Sequence, residues 1–119
     1  MLWEIEVTDE CDAWLDSLRA AEVKSVIAIV DHLEEKGPDL EFPYSSSVEQ
    51  SRHSHMRELR IQHKGRTLRV LYAFDPRRTA ILLLGGDKTG DPRWYDRNVP
   101  KADDLYDEYL EELKREGYL

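Results

Sequence analysis

The chain has 119 residues, enough for one domain spanning 1–119 and too few for two ordinary ones. Of these, 40% are apolar and 35% charged, which excludes a collagen, a low-complexity tail and an integral membrane protein. The longest apolar run, Ala80–Leu84, is far short of the ~20 residues of a spanning helix. The opening residues Met1-Leu2-Trp3-Glu4-Ile5-Glu6 carry neither a basic stretch nor an apolar segment, so the expected location is cytoplasmic, with no membrane partner. Cys11 is the sole cysteine, so neither an intrachain disulfide nor a Cys-x-x-Cys pair exists.

The net charge of −8 argues at first sight against nucleic acid, but it is unevenly spread. Residues 1–40 carry −8, residues 41–99 carry +4 together with His53, His55 and His63, and residues 100–119 carry −4. A cationic site on an otherwise acidic body is one reading, and plain surface solvation is the other.

In chain order, residues 2–7 alternate as a short strand. Thr8 or Asp9 can cap a helix in which Cys11, Trp14, Leu15 and Leu18 form one apolar stripe. Val23, Val26, Ile27, Val30 and Leu33 mark a second helix ending at Gly37-Pro38, and the two helices form a hairpin. Residues 38–55 have no period and two prolines, which predicts a long surface connection. From residue 56 the period becomes two. Arg57, Leu59 and Ile61 fall on one strand face, with Met56, Glu58, Arg60 and Gln62 on the other. His63-Lys64-Gly65-Arg66 is a turn. The strand 67–74 follows, with Arg69 and Leu71 opposite Leu68, Val70, Tyr72 and Phe74. Residues 79–84 form an apolar strand covered on both faces, ending in a flexible Gly85–Gly90 loop. The last helix begins at Pro100, with Ala102, Leu105, Tyr106, Tyr109, Leu110 and Leu113 on one face, and stops near Gly117. The order β-α-α-β-β-β-α is an α+β fold: an N-terminal strand and helical hairpin packed on an antiparallel meander, with a C-terminal helix.

Met56-Arg57-Glu58-Leu59-Arg60, then Arg69-Val70-Leu71-Tyr72, then Ile81–Leu84 followed by Gly-Asp-Lys resemble the RelE/HigB superfamily of type II toxin–antitoxin toxins, in the branch related to phage Gp49-like proteins. The element order agrees over about residues 2–114. The resemblance implies a RelE-like fold and a small toxin that cleaves mRNA, usually at the ribosome. It also implies neutralisation by an antitoxin encoded beside the toxin, here expected to be a small helix-turn-helix protein. By the same resemblance Arg69 matches an arginine used at the scissile phosphate, Lys88 a basic residue after the last strand, and Tyr95 an active-site aromatic. The chain departs from the pattern in its acidic balance and in an insertion, Thr89–Asn98, before the last helix.

Metal-free RNA cleavage requires a deprotonated 2′-hydroxyl, a stabilised phosphorane and a protonated 5′-oxygen. Arginine suits the second task, because its planar guanidinium binds two phosphate oxygens and keeps its charge. Arg69 and Arg60 fill that role if adjacent strands bring them to one face, with Lys88, Tyr95 or a histidine (His53, His55 or His63) as proton-transfer candidates. Arg57, Arg66, His55, His63, Lys64 and Arg93 are expected RNA contacts. No cofactor or metal is expected, since His53-x-His55 has no third or fourth ligand in sight. Two readings compete with the ribonuclease: a ParE-like gyrase inhibitor of the same fold, and a non-toxic binding-only relative.

Overall fold

A five-stranded mixed sheet carries helices on both faces in the computed structural model, which describes residues 2–119. The strands are β1 (Glu4–Val7), β2 (Ser45–Ser47), β3 (Arg57–His63), β4 (Arg66–Phe74) and β5 (Thr79–Asp87). The helices are α1 (Asp9–Asp16), α2 (Ala20–Lys36) and α3 (Trp94–Arg115). The spatial order is β1-β5-β4-β3-β2, antiparallel except for β1, which runs parallel to β5. No helix of the described residues is long and apolar enough to cross a membrane.

Alternation along the strands sorts their side chains into two cores. Leu59, Ile61, Leu68, Val70, Tyr72, Ala80 and Leu82 meet Cys11, Val26 and Leu33 of α1 and α2. Leu71, Ala73, Ile81 and Leu83 meet Trp94, Val99, Ala102 and Tyr106 of α3. β4 and β5 lie inside the sheet under both layers, which is why their sequences are nearly continuous apolar runs. The expected caps are present at both ends of the helical hairpin. Thr8 Oγ1 accepts from the Cys11 N–H at 3.0 Å, and Gly37 closes α2.

Three expectations are corrected. Residues 38–55 are not wholly irregular: a 3₁₀ turn at Gly37–Asp39 leads to β2, which pairs with β3. Three serines offer no apolar alternation, and the strand is held by pairing to its neighbour. The parallel partnership of β1 has no local signature at all, because it joins residues far apart in the chain. Gly85, Gly86 and Asp87 are strand and not loop, for a packing reason. A β-bulge between β4 and β5 at Leu71/Tyr72 re-phases the strand, turning Gly85 to α1 and Gly86 to α3. A Cβ on Gly85 would lie 2.1 Å from Cε3 of Trp14, and one on Gly86 2.5 Å from Nε1 of Trp94. Each indole occupies the space of a missing side chain.

Finally, α3 starts at Trp94, six residues before Pro100, which lies inside the helix. Asp91-Pro92 is the start signal: Asp91 Oδ1 accepts from the Arg93 N–H at 3.1 Å and its carbonyl from the Trp94 N–H at 3.3 Å. The second half of the segment 89–98 is therefore the first turn of α3.

Candidate active site

Arg60 and Arg69 are direct cross-strand partners in the β3–β4 ladder, on the α3 face of the sheet. Glu58 precedes Arg60 by two residues and shares that face. Opposite Arg69 on β5 stands Gly86, whose missing side chain admits Trp94 and so sets Tyr95 beside the strands. Glu58 becomes the hub of this arrangement. Its Oε1 lies 2.7 Å from Arg69 Nε and 3.9 Å from Arg60 Nη1, and it accepts from the Tyr95 hydroxyl at 2.6 Å. Lys88 completes the cluster, with Nζ 5.1 Å from the centre of the Tyr95 ring.

Burial and charge tune these groups. Glu58 and Arg69 are both buried. Arg69 Nη1 donates to the carbonyl of Leu68 at 3.0 Å, while its Nε faces Glu58 as an ion pair without hydrogen-bond alignment. Arg60 stays accessible and donates to Ser46 Oγ at 3.4 Å. Burial, then the Arg69 guanidinium, hold the Lys88 ammonium below the usual lysine range. Burial, then the bond to Glu58, push the Tyr95 phenol up, so it stays protonated as a donor. Three cations face one carboxylate, leaving a surplus of positive charge. A cavity of about 180 Å³ (Phe42, Pro43, Arg60, Ile61, Gln62, Arg69) opens on one side of the cluster. A second, of about 290 Å³ and including Ser47, Gln50, Glu58 and Tyr95, opens on the other. A wider hollow between β1 and α3 is lined by Glu6, Asp9, Glu10, Glu108 and Glu112 and would repel phosphate.

Arg60, Arg69, Lys88 and Tyr95 are thus brought together, and the expected RNA contacts are scattered. Arg57 points to the opposite face, where it donates to Ser45 Oγ, Ser47 Oγ and the Leu40 carbonyl at 3.1–3.2 Å. Arg66 is paired with Asp87 at 2.9 Å and with Glu22 of α2. His63 Nδ1 lies 2.7 Å from Ser25 Oγ, and His55 Nε2 3.0 Å from the Tyr106 hydroxyl. Lys64 in the hairpin turn and Arg93 before α3 are exposed. The residue that sequence reasoning passed over is Glu58, placed there on the Arg60 face of the strand with no role assigned to it. Its signal was the two-residue spacing to Arg60, which puts an acid and a base side by side on one strand face. Cys11 is fully buried, and burial pushes its thiol up to about 12, so it is chemically quiet. Among the described residues no three His, Cys, Asp or Glu side chains are grouped to hold a metal ion.

The mixed sheet with helices on both faces is a RelE-type fold. The chain superimposes on the toxin–antitoxin complex RelBE2 of Mycobacterium tuberculosis with a TM-score of 0.57, covering 73% of this chain and 99% of that one at 15% identity. For a free RelE mutant of E. coli the TM-score is 0.56, with 95% and 99% covered at 10% identity. Residues 13–107 match the family described as phage derived protein Gp49-like (DUF891). The chain is 40% identical over 114 residues to the putative toxin HigB2 of M. tuberculosis, covering 94% of this chain and 56% of that relative, little more than half its length. It is 43% identical over 102 residues to the putative toxin HigB3 of the same organism, covering 85% and 88%. The chain belongs to the Gp49-like family, within the RelE/HigB superfamily.

Proposed function

We propose that this protein is the toxin of a type II toxin–antitoxin pair and a metal-independent endoribonuclease acting on translated mRNA. The observation that carries this reading is the Arg60–Arg69 pair gathered with Glu58, Tyr95 and Lys88 between two open cavities. Glu58 takes the proton from a ribose 2′-hydroxyl, and that oxygen bonds to the adjoining phosphorus. Arg69 and Arg60 hold the charge that develops on the phosphorane, as rigid donors needing no reorganisation, worth ~3–4 kcal/mol each in comparable sites. Tyr95, through its bond to Glu58, orients the carboxylate. Lys88, acidified by its surroundings, delivers a proton to the departing 5′-oxygen, leaving a 2′,3′-cyclic phosphate and a 5′-hydroxyl.

The partner this reading requires is an antitoxin, expected as a helix-turn-helix protein from the adjacent gene, that covers the cationic cluster. The experiment compares expression of the wild type and Arg69→Ala in cells with message cut sites mapped. Translation arrest with cut messages and intact DNA, lost in Arg69→Ala, is the expected result. DNA damage with intact messages would replace it by gyrase inhibition, and unimpaired growth would leave a binding-only protein.

A further inference from the structure

Phe42 is the most exposed large apolar side chain of the described residues, 70% open, yet it is held in place. Its turn is closed by the Tyr44 and Ser45 N–H groups donating to the Glu41 carbonyl at 2.9 and 3.1 Å. The Arg60 N–H donates to the Tyr44 carbonyl at 2.9 Å, tying that turn to β3. The Arg60 guanidinium lies over the ring, 5.0 Å from its centre. The same guanidinium is 3.9 Å from Glu58, so a single side chain separates the exposed ring from the proposed base.

Phe42 forms one wall of the 180 Å³ cavity whose other walls include Arg60, Arg69 and Gln62. Gln62 Oε1 accepts from Thr67 Oγ1 at 3.3 Å, which leaves the amide NH₂ as a donor on the cavity wall. A flat apolar ring, two cations and an amide donor in one hollow match the parts of a nucleotide: a π-face, an anion and acceptors on the base edge. An apolar protein segment would use the ring and leave unmatched the positive charge that exceeds the single Glu58 carboxylate.

We infer that this cavity is a subsite for one unpaired nucleobase, stacked on Phe42 beside the bond to be cut, with Gln62 donating to its edge. The inference rests on the ribonuclease reading and names how that site holds its substrate. The ring supplies stacking to any base, and Gln62 favours a base presenting an acceptor at that edge.

The test uses a short single-stranded RNA carrying one 2-aminopurine, whose fluorescence falls on stacking, with a 2′-O-methyl group blocking cleavage at the adjacent position. The purified full chain should quench it. Phe42→Leu, which keeps bulk and loses the ring, should weaken binding roughly five- to a hundred-fold and abolish the quench. Phe42→Trp should restore both, and Ile27→Ala, an exposed apolar residue of α2, should change neither. Equal quenching by Phe42→Leu, or none by the wild type, overturns the subsite. So does a Phe42→Leu protein that cuts message normally but no longer binds the antitoxin, since the ring would then be a protein contact. Message cleavage by the wild type, followed in parallel, reports on the ribonuclease reading separately. An active enzyme indifferent to Phe42 defeats only the subsite, whereas an inactive one defeats the reading beneath it.

Discussion

The Nε of Arg69 and the Oε1 of Glu58 lie 2.7 Å apart, with each side chain only 6% exposed. Two charges withdrawn from water in this way stabilise the fold only as a pair, because removing one leaves the other buried and uncompensated, at about 3–5 kcal/mol. Glu58→Gln therefore lowers the unfolding free energy by ~3 kcal/mol, since Arg69 and Arg60 then face each other without an anion. Glu58→Gln/Arg69→Met, which fills the space with an apolar chain, returns stability to within about 1 kcal/mol of wild type. Neither protein cleaves RNA. Urea unfolding of the four members of the cycle, read beside message cleavage, checks this; a Glu58→Gln protein as stable as wild type would break it.

Lys88 sets the alkaline limb of the pH profile. Its folded pKa lies below the ordinary 10.5, through burial and then Arg69. Cleavage therefore falls as pH rises through a midpoint below 10.5, and Lys88→Arg carries that limb upward. The stability effect has a definite sign. The charged ammonium disfavours the folded state at neutral pH, and the penalty fades as pH rises from the folded pKa to the unfolded one. Lys88→Met accordingly raises the melting temperature near pH 7 and gives no advantage above 10.5, while activity is lost throughout. Parallel melting curves and rate profiles settle both halves.

Alternation in the sequence was enough to put Arg57 on one side of β3 and Glu58 with Arg60 on the other, and to give Arg69 to the face of Leu71. Alternation is local and rests on a two-residue period, so it survives folding. It does not say which strand lies opposite which, and the Arg60–Arg69 pairing came from the tight Lys64-Gly65 turn, where both residues adopt positive φ. What stayed hidden depends on distant partners: β2, paired through its backbone, the parallel edge of β1, and the two glycines shaped by Trp14 and Trp94. Pro100 misled because proline favours a first helical turn, whereas the earlier Asp91-Pro92 does that work here.

Those two glycines separate stability from function. Alanine at either puts a carbon inside contact distance of an indole, 2.1 Å for Gly85 and 2.5 Å for Gly86. Both variants lose stability, by about 2 kcal/mol or more, as in other overpacked cores. Gly86→Ala displaces Trp94 and with it the Tyr95–Glu58 bond, so it also loses cleavage at temperatures where it remains folded. Gly85→Ala moves Trp14 on the other face and keeps its specific activity. Comparable rates for the two folded variants would deny Gly86 its positioning part.

Arg66 and Arg60 divide along the same line. Arg66 pairs with Glu22, whose side chain is 6% exposed and also accepts from the Arg19 N–H at 2.9 Å. Without Arg66 that carboxylate stays buried with no cation beside it. Arg66→Ala should lose ~2 kcal/mol of stability, recovered when Glu22→Gln is added. Its guanidinium belongs to the α2 face, so the folded variant should bind single-stranded RNA with the wild-type salt dependence. Arg60, facing the open cavity, behaves in the opposite way. Arg60→Ala changes stability little, because the side chain is partly solvated and its pairing to Glu58 is long at 3.9 Å. It removes one phosphate contact, which flattens the slope of log affinity against log salt by about 0.7. Binding titrations at three or more salt concentrations on both variants decide the matter. A flattened slope for Arg66→Ala would move the RNA path onto the α2 face, and an unchanged slope for Arg60→Ala would remove the phosphate from the cluster around Glu58.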